Sequence, residues 1–213
     1  MTATLTQPAP FRPALRSGSH QRRDTILAVA HDVFLQFGYE AASMSEIAAR
    51  LGGSKGTLYS YFDNKAALFA ALVADSCARN SAAIFDIPAD ARGDAALTAI
   101  ARAYIALVMS DWATRMFQIV AAEAQRWPEL ARLFFESGPA AATAQLSRHL
   151  AEHGAADGLA IPDSDAAARL FLTLCRGNLH LQRILGLAPE PDAATLDAEA
   201  ERAVAAFRKL YAA

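Results

Sequence analysis

The sequence predicts an all-α chain, and three observations carry the prediction. Proline totals 9 and glycine 11 in 213 residues, too few for a turn-rich β-fold, and the β-branched runs that mark strands are missing. Apolar residues recur three and four apart through most of the chain after residue 21, the spacing of one helix face. The 54% apolar composition is enough to bury a sizeable core.

Residues 1–20 mix Pro, Ser, Gly and Thr without periodicity and read as a flexible arm. Order is expected from Gln21, where Ile26, Leu27, Ala30, Val33, Phe34 and Phe37 make an amphipathic helix that Gly38 ends. Ser43-Met44-Ser45-Glu46 fits a capping box opening a helix barely two turns long, with Ile47, Ala48 and Leu51 inward. Gly52-Gly53 breaks it, and Ser54 caps a third, equally short helix. Leu58 and Phe62 point inward there, leaving Lys55, Gly56, Thr57, Tyr59, Ser60 and Tyr61 on the free face. Asn64 caps a longer helix over about 65–79, with Leu68, Phe69, Leu72 and Val73 as its stripe. Further helices are expected over about 91–109, 111–126, 129–137, 139–153, 164–185 and 193–211, separated at Trp127-Pro128, Gly138-Pro139, AADGLAIPDSD and Gly186-LAPEPD. The expected domains are a head over 21–66 and a larger body over 67–213.

Charge and composition narrow the function. Every apolar stretch is interrupted by Arg, Asp or Glu before it reaches the roughly 20 residues of a membrane span, and the arginine-bearing N-terminus lacks the apolar segment of a secretory signal. A cytoplasmic protein without a membrane partner is expected. Cys77 and Cys175 are too few and too distant for a disulfide framework and read as small apolar core residues. The net charge is −2, but residues 1–65 hold seven Lys/Arg against five Asp/Glu, leaving −4 on the remainder. A mildly basic head on an acidic body suits a protein that offers one end to phosphates.

Two short helices joined by a glycine turn and braced by a third form a helix-turn-helix, whose second helix enters the DNA major groove. Lys55 and Lys65 are placed to neutralise phosphates, Thr57 and Ser60 to bond phosphates or base edges, and Gly56 to let the backbone approach. Tyr59 and Tyr61 add hydroxyls on rigid arms, and backbone N–H groups at Ser43 and Ser54 are further anion sites. Residues 22–73 resemble the N-terminal domain of the TetR family of transcriptional regulators through "ILAVAHDVFLQFGYEAASMSEIAARLG", "SKGTLYSYF" and "NKAALF", in that order and spacing. The resemblance implies recognition-helix contacts by Lys55, Thr57, Tyr59 and Tyr61, a phosphate contact by Lys65, and backbone contacts by Ser43, Met44 and Ser45. Gly53 departs from the apolar residue usual in relatives, which implies looser packing in the turn.

The body is similar to the AefR-like C-terminal domains of that family through "AEAQRWPELARLFFESGP" and "LFLTLCRGNLHLQRILGL". A small apolar or aromatic effector is expected among Met109, Trp112, Met116, Phe117, Phe134 and Phe135, with Arg115, Glu123, Arg176 or Asn178 as polar anchors. The last two helices, with Leu170, Phe171, Leu174, Asn178, Leu181 and Leu185 on one and Val204, Phe207 and Leu210 on the other, are expected to pair with a second copy in a four-helix interface. "HLAEH" at 149–153 matches the H-x-x-E-H pattern of zinc peptidases, but no third ligand accompanies His149, Glu152 and His153, and the segment reads as a solvated helix end. No cofactor is expected, and a metallohydrolase ranks behind a regulator. The expectation is therefore a ligand-responsive repressor that binds a palindromic operator as a homodimer; a DNA-binding scaffold without an inducer pocket is the alternative.

Overall fold

The first apolar stripe of the sequence, Ile26, Leu27, Ala30, Val33 and Phe34, is fully buried in the computed structural model, which describes residues 18–52, 55–88 and 90–212. It lies on α1 (Gly18–Ala41), where Gly38 departs from helical geometry at φ 74°, ψ 176°. Glycine adopts that conformation without a Cβ clash, so the regular helix breaks where the sequence places its end. The start precedes the expected Gln21 by three residues; the rest of the expected arm, residues 1–17, lies outside the described residues, as do Gly53 and Ser54.

Three further helices complete the head: α2 (Met44–Arg50), α3 (Lys55–Tyr59) and the first part of α4 (Lys65–Ile84). Ile47, Ala48, Leu58, Phe62, Leu68, Phe69, Leu72 and Val73 join the α1 stripe in one core. At its centre Phe34 meets Phe69 edge-on at 4.7 Å, and Tyr39 leans on Phe69 at 5.0 Å. The chain divides into two compact units after Asp75, inside α4, and not at residue 66. The first stripe of α4 packs in the head, whereas Cys77, Ser81 and Ile84 are buried beyond the division. That second stripe also explains why α4 runs past the expected Arg79.

The body comprises α5 (Gly93–Met109), α6 (Asp111–Glu123), α7 (Pro128–Phe135), α8 (Ala141–His153), α9 (Ser164–Ile184) and α10 (Ala193–Tyr211). Its core is built from α5, α8, α9 and α10 through Ile100, Tyr104, Leu146, Phe171 and Phe207, among others. Phe171 and Phe207 pack edge to face at 5.0 Å. Ser110, Asp163 and Asp192 cap α6, α9 and α10 by accepting backbone N–H bonds. Gly138-Pro139, expected to separate two helices, does not: a π-helical turn over Glu136–Ala140 carries the chain from α7 into α8. Proline has no N–H and clashes with the carbonyl of the preceding turn in an α-helix, and a wider π turn accommodates it. Gly177, at φ 50°, breaks α9 internally. Arg202 from α10 donates to the Leu174 carbonyl beside that break at 3.0 Å. Among the described residues no single helix is long and apolar enough to cross a membrane.

Candidate nucleic-acid interface

Ser43 sits in extended geometry ahead of α2 and its hydroxyl accepts from the Glu46 N–H at 3.1 Å. Only this half of the expected capping box forms. The Glu46 carboxylate instead accepts from Arg50 Nε at 2.8 Å, and Arg50 also donates to Gln36 at 2.7 Å and lies over the Phe37 ring at 5.2 Å. One arginine thus fastens α2 to α1. Leu58 and Phe62 anchor the segment after the turn. Around them Lys55, Gly56, Tyr59 and Ser60 are exposed, with Thr57 and Tyr61 half-buried. The Ser60 hydroxyl donates to the Thr57 carbonyl at 2.8 Å, closing the last turn of this short helix.

Two residues expected at the interface are placed differently. Met44 is buried, so its side chain packs the head core while Ser43 and Ser45 on either side stay exposed. Lys65 Nζ donates to the carbonyls of Tyr39 and Glu40 at 2.7 and 3.1 Å and lies 4.4 Å from the Tyr39 ring centre. Those carbonyls follow the break at Gly38, where the helix no longer supplies partners. Ser54, also expected here, lies outside the described residues.

The body holds an apolar cavity of about 90 Å³. Its walls come from the second half of α4 (Cys77, Asn80, Ser81, Ile84), from α5 and α6 (Tyr104, Leu107, Val108, Trp112, Ala113), and from Phe134, Gly138, Pro139 and Ala142. Burial pushes the Tyr104 hydroxyl pKa up, against the charge of Arg176. It pushes the Cys77 thiol up as well, partly offset by a hydrogen bond with Ser137. A raised thiol pKa leaves little reactive thiolate.

Residues 26–72 match the model of the tetR family of bacterial regulatory proteins, and residues 95–213 that of the AefR-like transcriptional repressor C-terminal domain. The chain belongs to the TetR family. It is similar over 90% of its length to the flavonoid-responsive regulator FrrA, with 36% identity, 97% of that chain covered and a TM-score of 0.74. A TetR-family regulator from Mesorhizobium loti MAFF303099 shares the fold at a TM-score of 0.82, with 22% identity, over 93% of this chain and all of that one. The transcriptional activator FasR of Mycolicibacterium smegmatis (strain ATCC 700084 / mc(2)155) is 45% identical over 53 residues, which are 25% of this chain and 24% of FasR. The chain thus matches about a quarter of the length of such curated relatives. As a TetR-family protein it is a DNA-binding transcriptional regulator and not an enzyme.

The remaining expected residues of this TetR-family body fall into distinct groups. Trp112 and Phe134 line the cavity. Met109 and Met116 are fully buried in packing, whereas Phe135 and Asn178 are exposed, and Arg176 is half-buried and does not itself line the cavity. Phe117 lies outside it too, between Phe134 at 6.3 Å and His180 at 6.1 Å. On the expected pairing face, Leu181, Leu185 and Leu210 are exposed at 55, 61 and 62%, and Leu170 and Leu174 are half-buried. Phe171, Val204 and Phe207 are instead buried in the protomer's own core, because α9 and α10 turn those side chains toward α5. Sequence reading missed the α4 wall of the cavity. Its signal was a stripe, Cys77, Asn80, Ser81 and Ile84, at helical spacing but of mixed polarity.

Among the described residues no group of three or more His, Cys, Asp or Glu is arranged to hold a metal ion. Glu152 projects to solvent beside His153, 3.9 Å away.

Proposed function

We propose that this regulator is a repressor that binds a palindromic operator as a homodimer in the cytoplasm and is released by a flat aromatic effector of the flavonoid class. The apolar cavity lined by Tyr104, Trp112 and Phe134 is the observation that carries the reading. Three aromatic side chains beside Ile84, Leu107 and Val108 suit a planar aromatic molecule, and Tyr104, Asn80 and Ser81 offer polar groups for its hydroxyls. The flavonoid-responsive FrrA, similar along nearly the whole chain, supports the effector class. The AefR-like repressor match over 95–213 supports the direction of control. A cavity, as opposed to a fully packed body, favours this reading over a scaffold without inducer.

At about 90 Å³ the cavity is smaller than the roughly 300–1,000 Å³ of pockets that enclose drug-sized ligands. Binding a flavonoid therefore requires its walls to open. Such a ligand releases DNA only to the extent that it prefers the opened state; coupling of about 1–3 kcal/mol would lower operator affinity roughly 5- to 150-fold. Exposed Leu181, Leu185 and Leu210 supply the pairing surface, and two heads then meet two half-sites of the operator. Lys55, Thr57, Tyr59, Ser60 and Tyr61 carry the recognition helix's contacts, with Ser43 and Ser45 beside the backbone.

The test is operator titration with and without a panel of flavonoids, in the native chain and in Ala113→Leu, which fills the cavity. The native chain should lose affinity with at least one flavonoid, and the variant should keep operator binding but lose the response. Equal response in both would remove the cavity from the mechanism. Flavonoid binding without any change in operator affinity would reject the coupling.

A further inference from the structure

A second cavity in the body, of about 230 Å³, plays no part in the reading above. It lies between the loop that follows α4 and the C-terminal end of α8, and the motif singled out in sequence, His149 and His153, forms one wall. Its lining combines apolar Phe85 and Ile87 with Arg92, both histidines and Asp157. The volume exceeds by more than tenfold the roughly 10–15 Å³ that a single water needs.

Three of its four polar side chains are cations or N–H donors, and one is a carboxylate. Arg92 brings a fixed fork of donors suited to a planar carboxylate. The two imidazoles lie 4.9 Å apart, centre to centre. Burial holds His149 below the usual histidine range, reinforced by His153 and Arg92 and opposed by Asp157 and Glu152. It is therefore uncharged at neutral pH, able to donate one N–H, and free of the repulsion that two imidazolium rings would impose. Arg92 and Asp157 bring one charge of each sign to the same lining.

We propose that this cavity binds a small single-ring organic acid: its carboxylate on Arg92 and His149, its ring against Phe85 and Ile87, and a hydroxyl donor accepted by Asp157. This site is separate from the Trp112 cavity and does not depend on the effector reading. It also gives the His149/His153 pair a role that needs no metal, consistent with a wall in which Asp157, and not Glu152, accompanies the two histidines.

The experiment titrates the full chain with 4-hydroxybenzoate while following the histidine ring signals by NMR. Saturable shifts at His149 and His153 are expected. The His149 titration midpoint should rise, because a neighbouring anion favours the protonated ring. The uncharged 4-hydroxybenzyl alcohol should bind about tenfold more weakly or worse, as should 4-hydroxybenzoate to the Arg92→Met variant, since a charge-assisted pair is lost. Arg92→Lys should recover part of the loss, and Ala113→Leu, in the other cavity, should bind like the native chain. Because Arg92 is exposed, neither arginine variant removes core packing. Equal affinity for acid and alcohol, an unaffected Arg92→Met, shifts confined to residues around Trp112, or no binding at millimolar acid would each overturn the proposal.

Discussion

Replacing Lys65 by Met tests whether this lysine positions the head or only touches DNA. Its ammonium is donated to the Tyr39 and Glu40 carbonyls at 2.7 and 3.1 Å and lies over the Tyr39 ring. Hydrogen bonds from charged groups contribute about 1.5–3 kcal/mol each, and an exposed cation–π contact about 0.5–1 kcal/mol. Water reaches this half-buried site and replaces part of what is lost, so the expected destabilisation of the head is about 1–3 kcal/mol. Lys55 is the control, exposed on α3 and without that anchoring. If it neutralises one phosphate per head, Lys55→Ala should lower the slope of log affinity against log salt by about 0.9 per head. Between 50 and 200 mM salt that is roughly a 3.5-fold smaller loss of affinity per head, with stability unchanged. Urea unfolding with hydrogen exchange over residues 26–72 reads the first effect, and operator titration across salt the second. A Lys65→Met variant that loses less than about 0.5 kcal/mol while its salt slope falls by about 0.9 per head would refute the positioning argument.

Three other outcomes are expected. Leu181→Glu with Leu185→Glu should leave the protomer folded, since both side chains are exposed, but shift sedimentation to the monomer and abolish tight operator binding; a dimer of native affinity would move pairing to another face. Ser43→Ala removes the hydroxyl that accepts from Glu46 N–H and should cost about 0.5–2 kcal/mol in chemical unfolding, with an unchanged midpoint counting against that cap. Burial holds both His149 and His180 below the usual histidine range, with His153 reinforcing the first and Arg176 the second. The unfolded chain takes up these protons first, near pH 6.5, so stability should fall as pH drops from about 7.5 to 5.5 and level off below the folded values. The decline should shrink when both are changed to Gln, and a decline of native size in that variant would reject the assignment.

Much of the fold was legible because its causes are local. Helical spacing of apolar residues, the glycine at position 38 and the caps at Ser43 and Asn64 act within a few residues of chain, and the structure's helices follow them closely. The same holds for the recognition segment: Leu58 and Phe62 turn inward four residues apart, which leaves Lys55, Tyr59 and Ser60 outward. Gly138-Pro139 misled because proline's local preference is to break a helix, while a π turn absorbs it.

Tertiary packing alone decided the rest. Periodicity says that Phe171, Phe207, Leu181 and Leu185 lie on apolar stripes, but not which partner each stripe meets. Packing against α5 buries the first two, and the leucines beyond the break at Gly177 are left exposed. Trp112 and Phe117 are five apart on one helix, and only the surrounding elements determine that Trp112 faces the cavity while Phe117 does not. Nor does anything near Lys65 in sequence announce that its ammonium belongs to carbonyls 25 and 26 residues earlier. A helix's own sequence determines which of its faces is apolar; the element that covers that face, and the gaps left between them, depend on contacts between segments distant in the chain.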